Sequence, residues 1–328
     1  MARRAVVLMN LGGPDSPRAV RPFLYNQFSD PSIIRLPTVL RQPLAGAIAW
    51  RRNATAQQIY AHLGGSSPLL ANTEAQAQAL AAVLGPEYRC FIAMRYWHPL
   101  TPATVADVMA WQPDDIVLLP LYPQFSTTTT ASSLAVWQAE ARRVGLGVPT
   151  RTVRSYPMAA GFIEALTGSV GQALDEADIG KMRLLLSAHG LPLKIVRDGD
   201  PYPQEVEKTA AAVVASLDRP SLDWCVCYQS RVGPLAWLGP SVDDELRRAG
   251  RDGVGVVVAP ISFVSEHSET LVELDRDYRD LAARVGVRAY RRVPTVGTDQ
   301  RFIAALAGLV RGETEAATEP SSAIGGAR

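Results

Sequence analysis

Three pairs of short segments recur in the same order along this 328-residue chain, and that ordered repetition constrains the fold more than any single stretch. Val7-Leu-Met-Asn-Leu-Gly-Gly-Pro14 is echoed by Leu185-Leu-Ser-Ala-His-Gly-Leu-Pro192. Met94-Arg-Tyr-Trp-His-Pro-Leu100 is loosely echoed by Gln229-Ser-Arg-Val-Gly-Pro-Leu235. Val117-Leu-Leu-Pro-Leu-Tyr-Pro-Gln-Phe-Ser126 is echoed by Val257-Val-Ala-Pro-Ile-Ser-Phe-Val-Ser265. Each segment reads as an apolar strand followed by a turn. The expectation is two related α/β halves joined near residue 150, with a cleft between their strand ends. In this alignment His189 occupies the place of Leu11, so a basic group stands where the other half is apolar.

Short β-rich runs at 5–9, 90–94, 116–121, 183–187, 224–228 and 254–259 alternate with amphipathic stretches. Those stretches, read as helices, are 73–84, 101–111, 132–144, 159–176, 203–216, 269–285 and 298–310. This is the pattern of parallel sheets covered by helices. It divides into an N-terminal half over 1–150 and a C-terminal half over 151–297, with the 298–310 helix packing back on the first half. From 312 to 328 the composition turns to Glu, Ala, Ser and Gly without periodicity, as in a disordered tail.

With 33 basic against 32 acidic residues, no global field points to nucleic acid. Cys225-Val-Cys227 lacks the spacing of a zinc knuckle or a redox pair, so the three cysteines read as free thiols in a reducing cytoplasm. Met1-Ala-Arg-Arg is followed by too short an apolar run for a secretory signal. No run approaches the roughly 20 apolar residues of a membrane span. A cytoplasmic protein, at most peripheral to the inner membrane, is expected.

Two places could carry chemistry. His189 ends an apolar run at a Gly/Pro turn, and ligands of open α/β folds bind at the carboxyl ends of strands. The segment from Ser265 to Asp277 lies at the matching strand end, with Glu269, Glu273 and Asp277 four apart on one helical stripe. A cation would relieve that like-charge stripe, and carboxylates with imidazole suit a divalent first-row metal such as Fe²⁺. Asp275 and Asp277 read instead as a solvated face balanced by Arg276 and Arg279. A third segment, 30–52, interleaves apolar residues with arginines, and its three prolines argue against one continuous helix. It could form ordinary packing, or an apolar lip with arginines placed for carboxylates or phosphates.

The chain resembles the ferrochelatases, which insert Fe²⁺ into a porphyrin, from Val6 to about Val310. The resemblance rests on nine motifs in the family's order. They are Leu11-Gly-Gly-Pro-Asp, Gly64-Gly-Ser-Ser-Pro-Leu, Arg95-Tyr-Trp-His-Pro-Leu-Thr, Tyr122-Pro-Gln-Phe-Ser and Ser187-Ala-His-Gly-Leu-Pro. The remainder are Gly199-Asp-Pro-Tyr-Pro-Gln-Glu, Tyr228-Gln-Ser-Arg-Val-Gly-Pro, Trp237-Leu-Gly-Pro and Phe263-Val-Ser-Glu-His-Ser-Glu-Thr-Leu. It implies two Rossmann-like domains with parallel sheets, a porphyrin in the cleft between them, and a lyase that ends haem synthesis. It places the metal- or proton-handling pair at His189 and Glu269, and the porphyrin contacts at Arg52, Tyr60 and Ser67. Glu273 and Asp277 continue the carboxylate stripe as a secondary metal or proton relay.

Whether His189 acts as base or ligand stays open at this level. Where cluster-bearing members of the family carry a cysteine after the Tyr-Pro-Gln motif, this chain has Thr127, and its tail has no cysteine. No [2Fe–2S] cluster and no other cofactor are therefore expected, Fe²⁺ being a substrate. Leu11 stands where coproporphyrin-type members carry tyrosine, which leans toward protoporphyrin IX. A coproporphyrin III or cobalt chelatase, or a non-catalytic porphyrin carrier, would use the same residues. Peripheral membrane contact through 33–50 is expected, and oligomeric state leaves no sign in the sequence.

Overall fold

Strands of a parallel sheet are covered on both faces and so read as unbroken apolar runs rather than alternating ones. Val6, Val7 and Leu8 fit that rule, as do Leu184, Leu185 and Leu186, all of them inaccessible to solvent. The computed structural model describes residues 2–177, 180–231, 233, 235–312 and 318–319. The chain divides into two units, Met1–Tyr156 with Ile303–Arg328, and Pro157–Phe302.

In the first unit β1 (Arg4–Asn10), β2 (Tyr88–Met94), β3 (Asp115–Pro120) and β4 (Thr150–Val153) run parallel in the order β2-β1-β3-β4. Its helices are α1 (Val20–Phe28), α2 (Thr38–Ala61), α3 (Leu69–Leu84), α4 (Thr101–Trp111) and α5 (Thr130–Val144). Ala5, Val7 and Met9 project from one face of β1 onto Val105 and Val108 of α4 and Trp137 of α5. A smaller cluster of Val20, Phe23, Leu24, Ala49, Tyr60 and Tyr96 joins α1 to α2.

The second unit repeats the plan with β5 (Met182–His189), β6 (Asp223–Gln229), β7 (Gly255–Pro260) and β8 (Tyr290–Arg292) in the order β6-β5-β7-β8, again parallel. Its helices are α6 (Ala160–Asp175), α7 (Leu193–Arg197), α8 (Tyr202–Leu217), α9 (Val242–Asp252) and α10 (Tyr278–Arg284). Leu185, Val256, Val258 and Cys227 pack against Val242, Leu246 and Ala249 of α9 and Leu281 of α10. The last helix, α11 (Gln300–Arg311), ends in the first unit, where Arg151 of β4 donates to the carbonyls of Leu309 and Val310. The tail expected over 312–328 lies outside the described residues apart from Gly312 and a two-residue strand, β9 (Thr318–Glu319), antiparallel to β4.

The register of the sheets agrees with two of the three echoes. Val7 pairs with Leu118 and Met9 with Pro120, while Leu185 pairs with Val258 and Ser187 with Pro260. The middle echo is displaced. Met94 donates its N–H to the Pro99 carbonyl at 2.8 Å, and its counterpart Tyr228 donates to Pro240 at 2.9 Å. The matching bridges are Met94 with Leu100 and Tyr228 with Ser241. The second connection is longer than the first, and similarity alone had matched the earlier of its two Gly-Pro pairs. The helix α9 that follows was absent from the sequence expectation, although Ser241 and Asp244 form a reciprocal capping box at its start.

The segment 30–52 is not one continuous helix, as its prolines implied: Pro31 and Pro37 precede α2, and Pro43 alone falls inside it. α2 runs continuously from Thr38 through Pro43 to Ala61. A proline in that place removes only the partner of the Val39 carbonyl four residues earlier. Val39 is 79% exposed, so water can take that hydrogen bond. The base of the segment is pinned by the buried Asp30, which accepts from Arg95 at 2.6 Å and from the Tyr96 hydroxyl at 2.7 Å.

Candidate functional site

The second unit gathers its polar side chains where β5, β6 and β7 end. His189 is the last residue of β5 and is 40% exposed at its side chain. Its Nδ1 lies 2.6 Å from the Gly190 carbonyl. A carbonyl only accepts, so Nδ1 carries the proton and, in the neutral ring, Nε2 keeps its lone pair. That Nε2 faces Oε2 of Glu269 at 3.7 Å, beyond hydrogen-bond distance.

His267 repeats the arrangement from the other side. Its Nδ1 donates to the Ser265 carbonyl at 3.0 Å, and its Nε2 stands 3.8 Å from the same Glu269 oxygen. Oε2 of Glu269 is thus buried between two imidazoles with no hydrogen bond. Burial opposes ionisation of this carboxyl, but the attraction of His189 and His267 outweighs it and holds the group at about 2. Burial likewise opposes the charged form of His267, and Glu269 reverses the balance, raising it above the ordinary histidine range. The sequence pattern singles out Glu269 in this segment and not His267. The local Ser-x-His spacing carries no sign that its ring would face the carboxylate.

The helix expected over 269–285 is not one α-helix. Glu269–Asp277 is a π-helix, continued by α10, and the Tyr278 N–H reaches back five residues to the Glu273 carbonyl. Extended π geometry is rare and concentrates at functional sites. Here it carries both Glu269 and Glu273. Glu273 accepts from the Ser230 N–H at 2.8 Å, the Ser230 hydroxyl at 2.5 Å, Gln229 Nε2 at 3.2 Å and the Tyr278 hydroxyl at 3.2 Å. Ser230 adopts φ 63°, a left-handed conformation uncommon outside glycine, which is how one residue presents both donors to one carboxylate. Burial and the charge of Glu269 raise the pKa of Glu273 despite those donors.

Asp277, the last residue of the π-helix, is exposed. Asp275 meets Arg279 at 3.3 Å, as expected of the balanced face, but it also turns inward to Arg292 at 2.8 Å. Among the described residues no three His, Cys, Asp or Glu side chains are spaced to hold a metal, so His189 and Glu269 present a pair rather than a cage. The thiols offer little. Burial pushes Cys90 and Cys225 up to about 12, which leaves them unreactive.

Arg52, Tyr60 and Ser67 belong to the first unit. Arg52 and Tyr60 lie two turns apart on α2, with the Arg52 guanidinium 5.6 Å from the Phe28 ring and Tyr60 buried in the α1–α2 cluster. Ser67 donates its N–H to the Pro14 carbonyl at 2.7 Å. A Cβ on Gly13 would come within 2.5 Å of the Ser67 side chain, so only glycine permits that approach.

The ferrochelatase family model matches residues 3–314. A ferrochelatase of Caulobacter vibrioides is 56% identical over 313 residues, covering 94% of this chain and 89% of that one. A ferrochelatase of Wolbachia pipientis is 49% identical, covering 94% and 98%. Among solved structures, SirB from Bacillus subtilis with Fe³⁺ aligns at a TM-score of 0.58 over 94% of both chains. DR2241 from Deinococcus radiodurans aligns at 0.51 over 96% of this chain and 56% of its own. Identities of 13% and 15% make these likenesses of fold alone. The chain belongs to the ferrochelatase family, a family of metal chelatases that act on porphyrin and iron.

Proposed function

We propose that this ferrochelatase takes protoporphyrin IX as its porphyrin, inserting Fe²⁺ and releasing two protons to give protohaem as the terminal step of haem synthesis. The observation that carries the metal chemistry is the facing of His189 Nε2 and the ionised, unbonded Oε2 of Glu269 across 3.7 Å. Metallation must remove two N–H protons from a rigid macrocycle and admit a dication. An imidazole with a free lone pair can accept a proton, and a carboxylate held ionised attracts the cation. A pair without a closed cage lets the metal pass on. Glu273, whose pKa is raised beside Glu269, is suited to take a proton onward, with the exposed Asp277 at the end of the same segment. Arg52, Tyr60 and Ser67 are assigned to porphyrin contact, and no iron–sulfur cluster or other resident cofactor is invoked.

Leu11 supports the choice of porphyrin. It packs against the α1–α2 cluster that holds Tyr60, one of the residues assigned to porphyrin contact, and an apolar side chain there suits vinyl groups better than extra propionates. Purified protein given Fe²⁺ anaerobically with equal protoporphyrin IX and coproporphyrin III should metallate the former faster, and His189→Ala should be nearly inactive. Preference for coproporphyrin III would overturn the substrate assignment, and a normal rate in His189→Ala the assignment of the histidine.

The same reading includes peripheral membrane contact. Val39, Leu40 and Trp50 are 79%, 58% and 70% exposed along α2, among arginines at 35, 41, 51 and 52. Apolar side chains flanked by cations suit the interface of a bilayer. Among the described residues no helix is long and apolar enough to cross a membrane.

A further inference from the structure

The π-helix is held from behind by a strand that the chemistry above does not use. Tyr290 and Arg292 are two apart on β8 and therefore project from the same face. The Tyr290 hydroxyl donates to the Leu274 carbonyl at 2.6 Å. Arg292, 10% exposed at its side chain, places Nη1 2.8 Å from Oε1 of Glu266 and Nη2 2.8 Å from Oδ2 of Asp275. Oε1 of Glu266 also accepts the Thr295 N–H at 2.9 Å. One planar guanidinium thus joins the residue just before His267 to the middle of the π-helix.

Glu269 lies between those two anchor points in the chain, and the Oε2 that faces His189 has no hydrogen bond of its own. On the opposite side, Ser230 and the Tyr278 hydroxyl bond the carboxylate of Glu273, and Ser230 and His267 also act on the carboxylate of Glu269. The place of Glu269 opposite His189 thus depends also on how the backbone on either side of it is anchored. A π-helix gains less from its own geometry than an α-helix, so its shape depends on outside contacts.

We infer that Arg292 is a positioning residue which, by bridging Glu266 and Asp275, holds Glu269 opposite His189 and so governs iron handling rather than porphyrin binding. The inference rests on the reading of His189 and Glu269 as the iron-handling pair. Outer partners of metal-handling groups commonly affect metal affinity or activity by about 10–100-fold when lost. Lysine cannot reproduce a two-pronged bridge, because its ammonium is a single point charge.

The test compares wild type, Arg292→Lys and Asp275→Asn in anaerobic Fe²⁺ insertion, with porphyrin affinity read separately by fluorescence quenching. In Arg292→Lys, kcat/KM for Fe²⁺ should fall about 10–100-fold. Porphyrin Kd should stay within about twofold, while Asp275→Asn, which cuts one arm, falls between Arg292→Lys and wild type. Unchanged iron kinetics in a folded Arg292→Lys would overturn the inference. So would a parallel rise in porphyrin Kd and loss of Tm, which would mark a merely structural role. Wild-type protein inactive with both porphyrins would instead refute the underlying assignment of the pair. Asp275→Asn, with Arg292 and Glu266 left intact, keeps the question answerable if Arg292→Lys folds poorly.

Discussion

Gly190 is the backbone lever beneath the site, and Gly190→Ala should move it. A Cβ there would lie 2.8 Å from the Gln229 carbonyl oxygen and 3.3 Å from the Trp237 ring. The first contact is with backbone, so no side-chain rotation relieves it. The Gly190 N–H already bonds that same carbonyl at 2.8 Å, and the Gly190 carbonyl orients His189. Gln229 in turn contacts the Glu269 carbonyl and Glu273, both at 3.2 Å. Overpacking of this kind costs about 1–3 kcal/mol. If about half of the upper value falls on alignment of the reacting groups, the rate drops roughly tenfold, since about 1.4 kcal/mol is one decade. Urea unfolding should show a lower midpoint with an unchanged slope. Anaerobic iron insertion should show kcat reduced about tenfold or more, with porphyrin Kd unaltered. Adding Trp237→Leu should restore little, because the tighter clash is with the Gln229 backbone. Wild-type stability and kcat in Gly190→Ala would refute this account of how the strand end is held.

Two further outcomes concern charge and the α2 surface. The pairing of Glu269 with His267 should stabilise the fold fully between the ordinary values of the two groups, 4.5 and 6.5. Glu269 is depressed, so its share is lost as pH falls toward about 2; His267 is raised, so its share is lost as pH rises through its folded value. Urea unfolding at pH 6 and pH 8.5 should therefore show the advantage of wild type over Glu269→Gln narrowing at the higher pH, and an equal advantage at the two pH values would sink the assignment. For the membrane reading, wild type should co-sediment with anionic liposomes and Val39→Ser/Leu40→Ser/Trp50→Ser should not; equal sedimentation of the two would count against contact through α2.

Much of the site was readable because the relevant signals are local. An apolar run that breaks at His-Gly-Leu-Pro marks a strand end, and acids four apart after the matching run mark a helix facing it. The residues of the Arg292 bridge gave no such signal. Glu266, Asp275 and Arg292 lie on a turn, a helix and a distant short strand, and their charges read alone as ordinary surface. His267 is similar: its ring became part of the site only when the turn after β7 aimed it at Glu269. The tolerance of Pro43 inside α2 was hidden for a different reason. A proline rule has no knowledge of exposure, and solvent access at Val39 is what makes Pro43 tolerable there.

By itself the sequence determined an α/β chain of two related parallel sheets, because strand and helix periods, turn residues and the ordered echoes are all short-range properties. It also located His189 at a strand end and Glu269 in the acidic segment after the matching strand. Tertiary structure alone decided that the second connection is longer, with Pro240 as the counterpart of Pro99. It alone decided that the acidic segment is a π-helix, with Ser230 at a positive φ in front and Arg292 behind. These depend on which distant side chains meet, and on burial that turns modest surface charges into strong, directional partners.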